Sequence, residues 1–295
     1  MTTATTTTRI RHDSDATFRE WGLEFQTQLL AIGLVADEKN TNWTTATRPG
    51  INTEYGYEVY HLNDSLFGTA PIYIRVGYGT ATSTTAPRLQ ITVGTSTNGS
   101  GVLGGAVTAS QAIGGVAVQT TDTTRVSRWC AVEGAIAIRW KIGASQTTGF
   151  FYVCRTLSVA GTLTTRGALC GWSNNSVNSF NTQALRFAAT AQAFTQATAL
   201  TATALGLNAQ SQTSSANIAP DKYAYVPFGA FPEARPVFGV CGLLNGDSPA
   251  EGDTLSVALV GATAHTYIVL ATTAGPFGNS SAAGPDGIVY AMIWE

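Results

Sequence analysis

The carboxylates Glu54, Glu58, Asp64, Glu133, Asp247, Glu251 and Asp253 are the residues of this chain that could do acid–base chemistry. Glycoside cleavage needs two carboxyl groups roughly 5–10 Å apart, and Glu58 and Glu133 are the members of the set that stand inside apolar runs. A buried, partnered structural carboxylate is the commoner outcome for such residues. His61, Asp64 and Ser65 supply the residue types of a hydrolytic triad. They are crowded into one short stretch, whereas a triad needs separately oriented groups. His12, His61 and His265 have no second ligand at a metal-binding step, and Cys130, Cys154, Cys170 and Cys241 lack the paired spacing of a zinc site. The thiols read as small buried hydrophobes, with disulfide pairing left open. Asp247, Glu251 and Asp253 miss the fixed spacing of a calcium loop. Gly99, Gly101, Gly104 and Gly105 are not followed by the Lys-Ser/Thr of a phosphate loop. The expectation is therefore no catalytic, cofactor or metal residues. Trp43, Tyr55, Tyr78 and Trp172 border loops, and Tyr78 and Trp172 are the candidates for stacking on a sugar.

The elements that would position these groups are mostly strands. The run Tyr57 to Leu62 alternates, Asn63-Asp64 breaks it, and Ile72, Ile74 and Val76 alternate again. This is the period of two of paired strands with one face buried. The connection is too long for a two-residue hairpin, so the strands either pair directly through a loop or flank a third. Before them, Ser14-Asp15 offers a helix cap, and Phe18, Trp21, Phe25, Leu29 and Ile32 recur at three- and four-residue steps. The pattern predicts a helix of about five turns ending near Gly33. Its aromatic stripe, with Trp43, Tyr57 and Tyr60, is expected to serve packing or assembly.

Further strands are expected at Leu89–Val93, with a turn at Asn98-Gly99-Ser100-Gly101, and at Val116–Val118. Trp129–Ile142 reads as a strand pair or one bent strand, followed by a turn at Gly143–Gln146 and strands at Phe150–Leu157 and Leu169–Trp172. Residues 173–219 are rich in Thr, Ser, Ala and Gln. They read as a long ordered loop or arm, with Leu185, Phe187 and Phe194 as strand markers or Ala193–Leu207 as a helix as the other readings. Strands resume at Val237–Leu244, Leu255–Val260, Tyr267–Ala271 and Ile288–Trp294. The expected fold is mainly β, an antiparallel β-sandwich with one N-terminal amphipathic helix packed on it. Residues 1–13 form a flexible arm, 14–120 a helix plus small sheet, and 121–295 the sandwich, with a soft boundary near 120.

Composition narrows the function. The charged fraction is 12%, about half the usual share, so neutral hydroxyl and amide groups must cover much of the surface. That suits a subunit covered by neighbours. Net charge is −2, with Lys only at 39, 141 and 222, which gives no electrostatic footprint for nucleic acid. Apolar runs are too short for a membrane span, and no signal pattern opens the chain.

The residues Phe18-Arg19-Glu20-Trp21-Gly22, Ala31-Ile32-Gly33-Leu34-Val35, Asn42-Trp43, Thr47-Arg48-Pro49, Tyr55 to Tyr60 with Asn63-Asp64, Thr69 to Gly79 and Ile91 to Thr95 together resemble a family of uncharacterised tailed-bacteriophage virion proteins. The resemblance spans about residues 15 to 105 and loosens towards 172. It implies a non-enzymatic structural subunit, most often of the tail, partnered by its own copies and other virion proteins and assembled in the host cytoplasm. A capsid decoration protein, a module binding host-surface glycan, and a depolymerase using Glu58 and Glu133 are the alternative expectations.

Overall fold

The structure is a computed structural model that describes residues 2–9, 11–108, 110–114, 124–141, 148–157, 162–173, 180–186, 224–227, 235–236, 241–245, 253–257, 265–271 and 288–293. The chain is mainly β, with antiparallel sheets in sandwich-like packing and one N-terminal helix.

The helix α1 (Asp15–Ala31) starts where the Ser14 hydroxyl accepts from the Thr17 amide and the Thr17 hydroxyl accepts from the Ser14 amide, a reciprocal cap. It stops at Gly33, whose φ of +98° lets its amide reach the Leu30 carbonyl while the Leu34 amide reaches that of Leu29. Phe18, Trp21, Phe25, Leu29 and Ile32 are all buried, as their spacing requires.

A six-stranded sheet follows: β2 (Val35–Lys39), β3 (Glu54–His61), β4 (Tyr73–Thr80), β5 (Pro87–Thr97), β6 (Leu103–Val107) and β7 (Gln111–Gly114), in order 2-3-4-5-6 with β7 also on β5. β3 and β4 pair directly, Tyr60 opposite Ile74 and Glu58 opposite Val76. Burial is not confined to one face of β3, since Glu58 and Tyr60 on one side and Val59 and His61 on the other are all buried. The short strand after the glycine-rich stretch is β7; Val116 and Val118 lie outside the described residues.

The second sheet holds β1 (Thr2–Arg9), β8 (Thr124–Val132), β9 (Ala135–Lys141), β10 (Thr148–Leu157), β11 (Leu163–Ser173) and β12 (Phe180–Arg186) in order 1-8-9-10-11-12, with β14 (Arg235–Pro236) on β10. Trp129 to Lys141 is thus a strand pair turning at Glu133-Gly134, where Gly134 has φ +76°. The opening residues correct the expectation of a flexible arm. Thr2–Arg9 pairs with β8 along its whole length, Thr2 opposite Ala131 and Arg9 opposite Thr124. Thr is β-branched and favours strands, so a polar low-complexity run becomes an edge strand once a partner edge is offered.

A third, five-stranded sheet contains β13 (Ala224–Pro227), β15 (Cys241–Asn245), β18 (Ile288–Ile293), β17 (His265–Ala271) and β16 (Thr254–Val257) in that order. The turn at 143–146 lies outside the described residues. Within 173–219 the loop reading is corrected where Ser173 closes β11 and Phe180–Arg186 form β12 against it, because an edge of β11 is there to pair with. Residues 174–179 and 187–219, including the helix reading at 193–207, lie outside the described residues.

One hydrophobic cluster unites the helix and the first two sheets, from Phe18 and Trp21 through Tyr60, Ile74 and Ile91 to Trp129, Val153 and Cys170. The helix touches both: Trp21 meets the Tyr78 ring at 5.7 Å and Phe25 meets Trp129 at 5.0 Å. The core therefore runs across the soft boundary near 120 without a break between its members.

Candidate functional site

The densest polar arrangement in the described residues is built on Glu58, 1% exposed in the middle of β3. Its Oε1 accepts from Gln26 Nε2 of α1 at 2.7 Å, Thr41 Oγ1 at 2.6 Å and Trp43 Nε1 at 3.0 Å. Its Oε2 accepts from the hydroxyls of Tyr60 and Tyr78, the latter at 2.8 Å. These donors come from the helix, from the segment after β2 and from two adjacent strands. A buried carboxylate without such partners would be very costly. Burial, followed by the Glu58 charge, raises the Tyr60 phenol pKa; burial and the Tyr60 and Glu58 neighbours raise that of Tyr78. Both therefore stay protonated donors. With Tyr60 and Tyr78 wholly buried around it, Glu58 has no access for an external polysaccharide.

Tyr78 is corrected in the same step. Its ring is 0% exposed, packed against Trp21 and edge-on to Trp43 at 4.9 Å, so it has no face to offer a sugar. The pleat places it inward with Ile74 and Val76. Trp172 stands opposite Phe151 in β11, and its side chain lies outside the described residues.

The other packing candidates fall close together. Phe18, Trp21, Phe25, Leu29, Trp43 and Tyr60 are core residues, and Phe18 meets Trp43 at 5.7 Å and Tyr55 at 5.6 Å. Tyr57 differs, being half-buried under the Arg75 guanidinium at 4.9 Å. Arg75 also pairs with Glu54 at 2.5 Å and donates to the Gly101 carbonyl at 2.9 Å.

The triad residue types are dispersed. His61 Nδ1 contacts Asp37 at 2.8 Å under a stacked Phe67 ring at 3.8 Å. Asp64 turns inward to Arg155, with Nε to Oδ2 at 2.6 Å and Nη2 to Oδ1 at 3.0 Å. Ser65 donates to Glu133 at 2.7 Å. Each residue has its own partner, and Asp64 and Ser65 both reach the second sheet. Glu133 also lines a cavity of about 280 Å³ with Ile32, Gly33, Leu34, Leu62 and Asn63.

Glu38 clasps the β5–β6 turn, accepting from Thr97 Oγ1 and from the Gly99 and Gly101 amides at 3.0 and 2.6 Å. Desolvation opposes ionisation, but these three bonds together outweigh it and lower the Glu38 pKa. Burial and the Asp37 and Glu38 charges raise that of Tyr73. Cys130, Cys154 and Cys170 are buried, and burial pushes the Cys130 thiol up to about 12. Among the described residues no three or more His, Cys, Asp and Glu gather closely enough to hold a metal ion, and no helix is long and apolar enough to cross a membrane.

The convergence on Glu58 was not legible from spacing, because Gln26, Thr41 and Trp43 carry no pattern pointing at β3. The one available signal was a glutamate at an inward position of an otherwise apolar strand. No family model matches the chain, and no curated protein matches it.

Proposed function

We propose that this chain is a non-enzymatic structural protein of a bacteriophage virion, a tail component that assembles as a symmetric oligomer. The observation that carries the reading is where the motif residues lie. Phe18, Trp21, Trp43, Glu58, Tyr60 and Tyr78 belong to the stretches that resemble tailed-phage virion proteins, and they form one buried knot. Residues shared for catalysis or ligand capture would have to reach solvent; these serve architecture. The low charged fraction of 12% supports a surface covered by neighbouring subunits. A capsid decoration protein is the alternative within the same class.

The test is to locate the protein on intact particles with a specific antibody fragment seen by electron microscopy. Label at the tail end or along the tail is the expected result. Label over the head would assign decoration instead, and particles without label would overturn the virion reading.

A further inference from the structure

Two of the outer strands are guarded differently. β2 carries Asp37, Glu38 and Lys39 and breaks register between Ala36 and Glu38, the charges and bulge that deter an edge from pairing. β1, the outer strand of its sheet among the described residues, has neither. It pairs with β8 in unbroken register, contains no proline and carries no charge before Arg9. Beside this edge α1 exposes Leu23 and Leu30, 51% and 44% open to solvent and two turns apart on one stripe. We propose that this side of the molecule pairs with a second copy of the chain about a two-fold axis, β1 antiparallel to β1 and α1 antiparallel to α1. The proposal rests on the reading of the chain as a symmetric oligomer and names the contact.

The helix is placed for it. Glu24 accepts from Thr6 Oγ1 of β1 at 2.8 Å, and Phe25 meets Trp129 of β8 at 5.0 Å, so α1 lies over the line between these two strands. Gln26 and Arg19 turn the other way, to Glu58 and the Ala46 carbonyl. Leu23, Thr27 and Leu30 occupy the outward arc between the two directions. Paired strands stand about 4.8 Å apart. Two copies joined at β1 would therefore set their helices about 10 Å apart, within the spacing at which helices pack.

The register follows from the pleat. Residues opposite one another in antiparallel strands share a face, so the axis must pass at a residue of β1 and not between two. With Thr5 opposite its own copy, Ala4 meets Thr6 and Thr3 meets Thr7, all neutral, and Thr–Thr pairs are favourable. α1 runs back along β1, since Thr6 meets Glu24 and Thr2 lines one cavity with Ile32 and Gly33. At about 3.3 Å per strand residue and 1.5 Å per helix residue, Thr5 is level with the helix between Gln26 and Thr27. That level is the midpoint of Leu23 and Leu30, so an axis at Thr5 sets Leu23 of one copy against Leu30 of the other. Centring on Ala4 or Thr6 would slide the helices by about four residues and lose the match. The neutral edge and the apolar stripe thus call for the same axis, which makes the contact isologous.

The test is the solution mass of the purified full chain, by light scattering on a sizing column, together with cysteine cross-linking. The expected mass is twice that of the chain. Directly opposed residues lie about 4.5–5.5 Å apart between Cα atoms, within disulfide reach, so Thr5→Cys should give a covalent dimer under mild oxidation. Thr3→Cys, displaced from its own copy along the strands, should not. Leu23→Glu should give a monomer with an unchanged circular dichroism spectrum. Adding Leu30→Lys to it places opposite charges in contact across the axis and should restore the dimer. A monomeric parent, a dimer indifferent to Leu23→Glu, or linkage as efficient through Thr3→Cys as through Thr5→Cys overturns the proposal. An oligomer of another order without the Thr5→Cys link overturns it too, while leaving the symmetric-oligomer reading standing. The cross-linked dimer upholds the contact even if antibody labelling finds no particle that carries the protein.

Discussion

Arg155 in β10 and Asp64 in the β3–β4 connection form a bidentate ion pair whose side chains are both 0% exposed. It fastens the two larger sheets at a point where neither charge reaches water. Removing one member strands the other, which typically costs about 3–5 kcal/mol. Asp64→Asn and Arg155→Met should each lower the unfolding free energy by that order, read as a lower denaturation midpoint. The double replacement Asp64→Leu with Arg155→Met should cost clearly less than the two single changes together. Denaturant titration of the three variants checks this, and additive losses would contradict it.

Tyr60 and Tyr78 predict an alkaline limit. Their folded pKa values lie above the unfolded one, so the native state holds protons that the unfolded chain releases above about pH 10. The stability contribution is complete below that range and falls as pH rises through it. Spectrophotometric titration should show these phenols ionising only as the protein unfolds, and Tyr78→Phe should make the alkaline loss less steep.

Gly22 is fixed by a neighbour rather than by backbone geometry. A Cβ at this position would lie 2.1 Å from the Trp43 ring, which is itself held by its bond to Glu58. Alanine would ordinarily favour a helix by about 1 kcal/mol relative to glycine. Here Gly22→Ala should instead destabilise by about 1–3 kcal/mol or more through overpacking, read as a lower melting temperature with altered Trp fluorescence.

Glu38→Gln should loosen the β5–β6 turn locally. The carboxylate's pKa is lowered, so its contribution is present above the unfolded carboxyl range and is lost as pH falls through the folded value. Hydrogen exchange at the Gly99 and Gly101 amides should quicken in the variant at neutral pH, and in the parent on acidification, while the core amides of β4 stay protected.

Local periodicity carried much of the architecture. The helix was legible because its five apolar residues share one stripe and both caps are local, and β3 and β4 were legible from alternation. β1 was not, since a polar Thr run gains strand structure only from β8, far along the chain. Among the site residues, burial of the aromatic stripe was readable, but Tyr78 was not: at a loop-flanked strand end the sequence does not say which face is covered. The partners of Glu58, Asp64 and Ser65 were equally hidden, because each was settled by tertiary contact between segments well separated in sequence.

The pairing of Thr2 with Ala131 orders events in time. During synthesis β1 emerges before α1 and the β2–β7 sheet, yet its partner strand does not exist until β8 has been made. The helix and the β2–β7 sheet can form in the interval from contacts closer in the chain. Closing so long a loop is slow compared with forming local contacts, so β1 takes its place only after the helix and the β2–β7 sheet can have formed, and the edge of β8 stays open until it does.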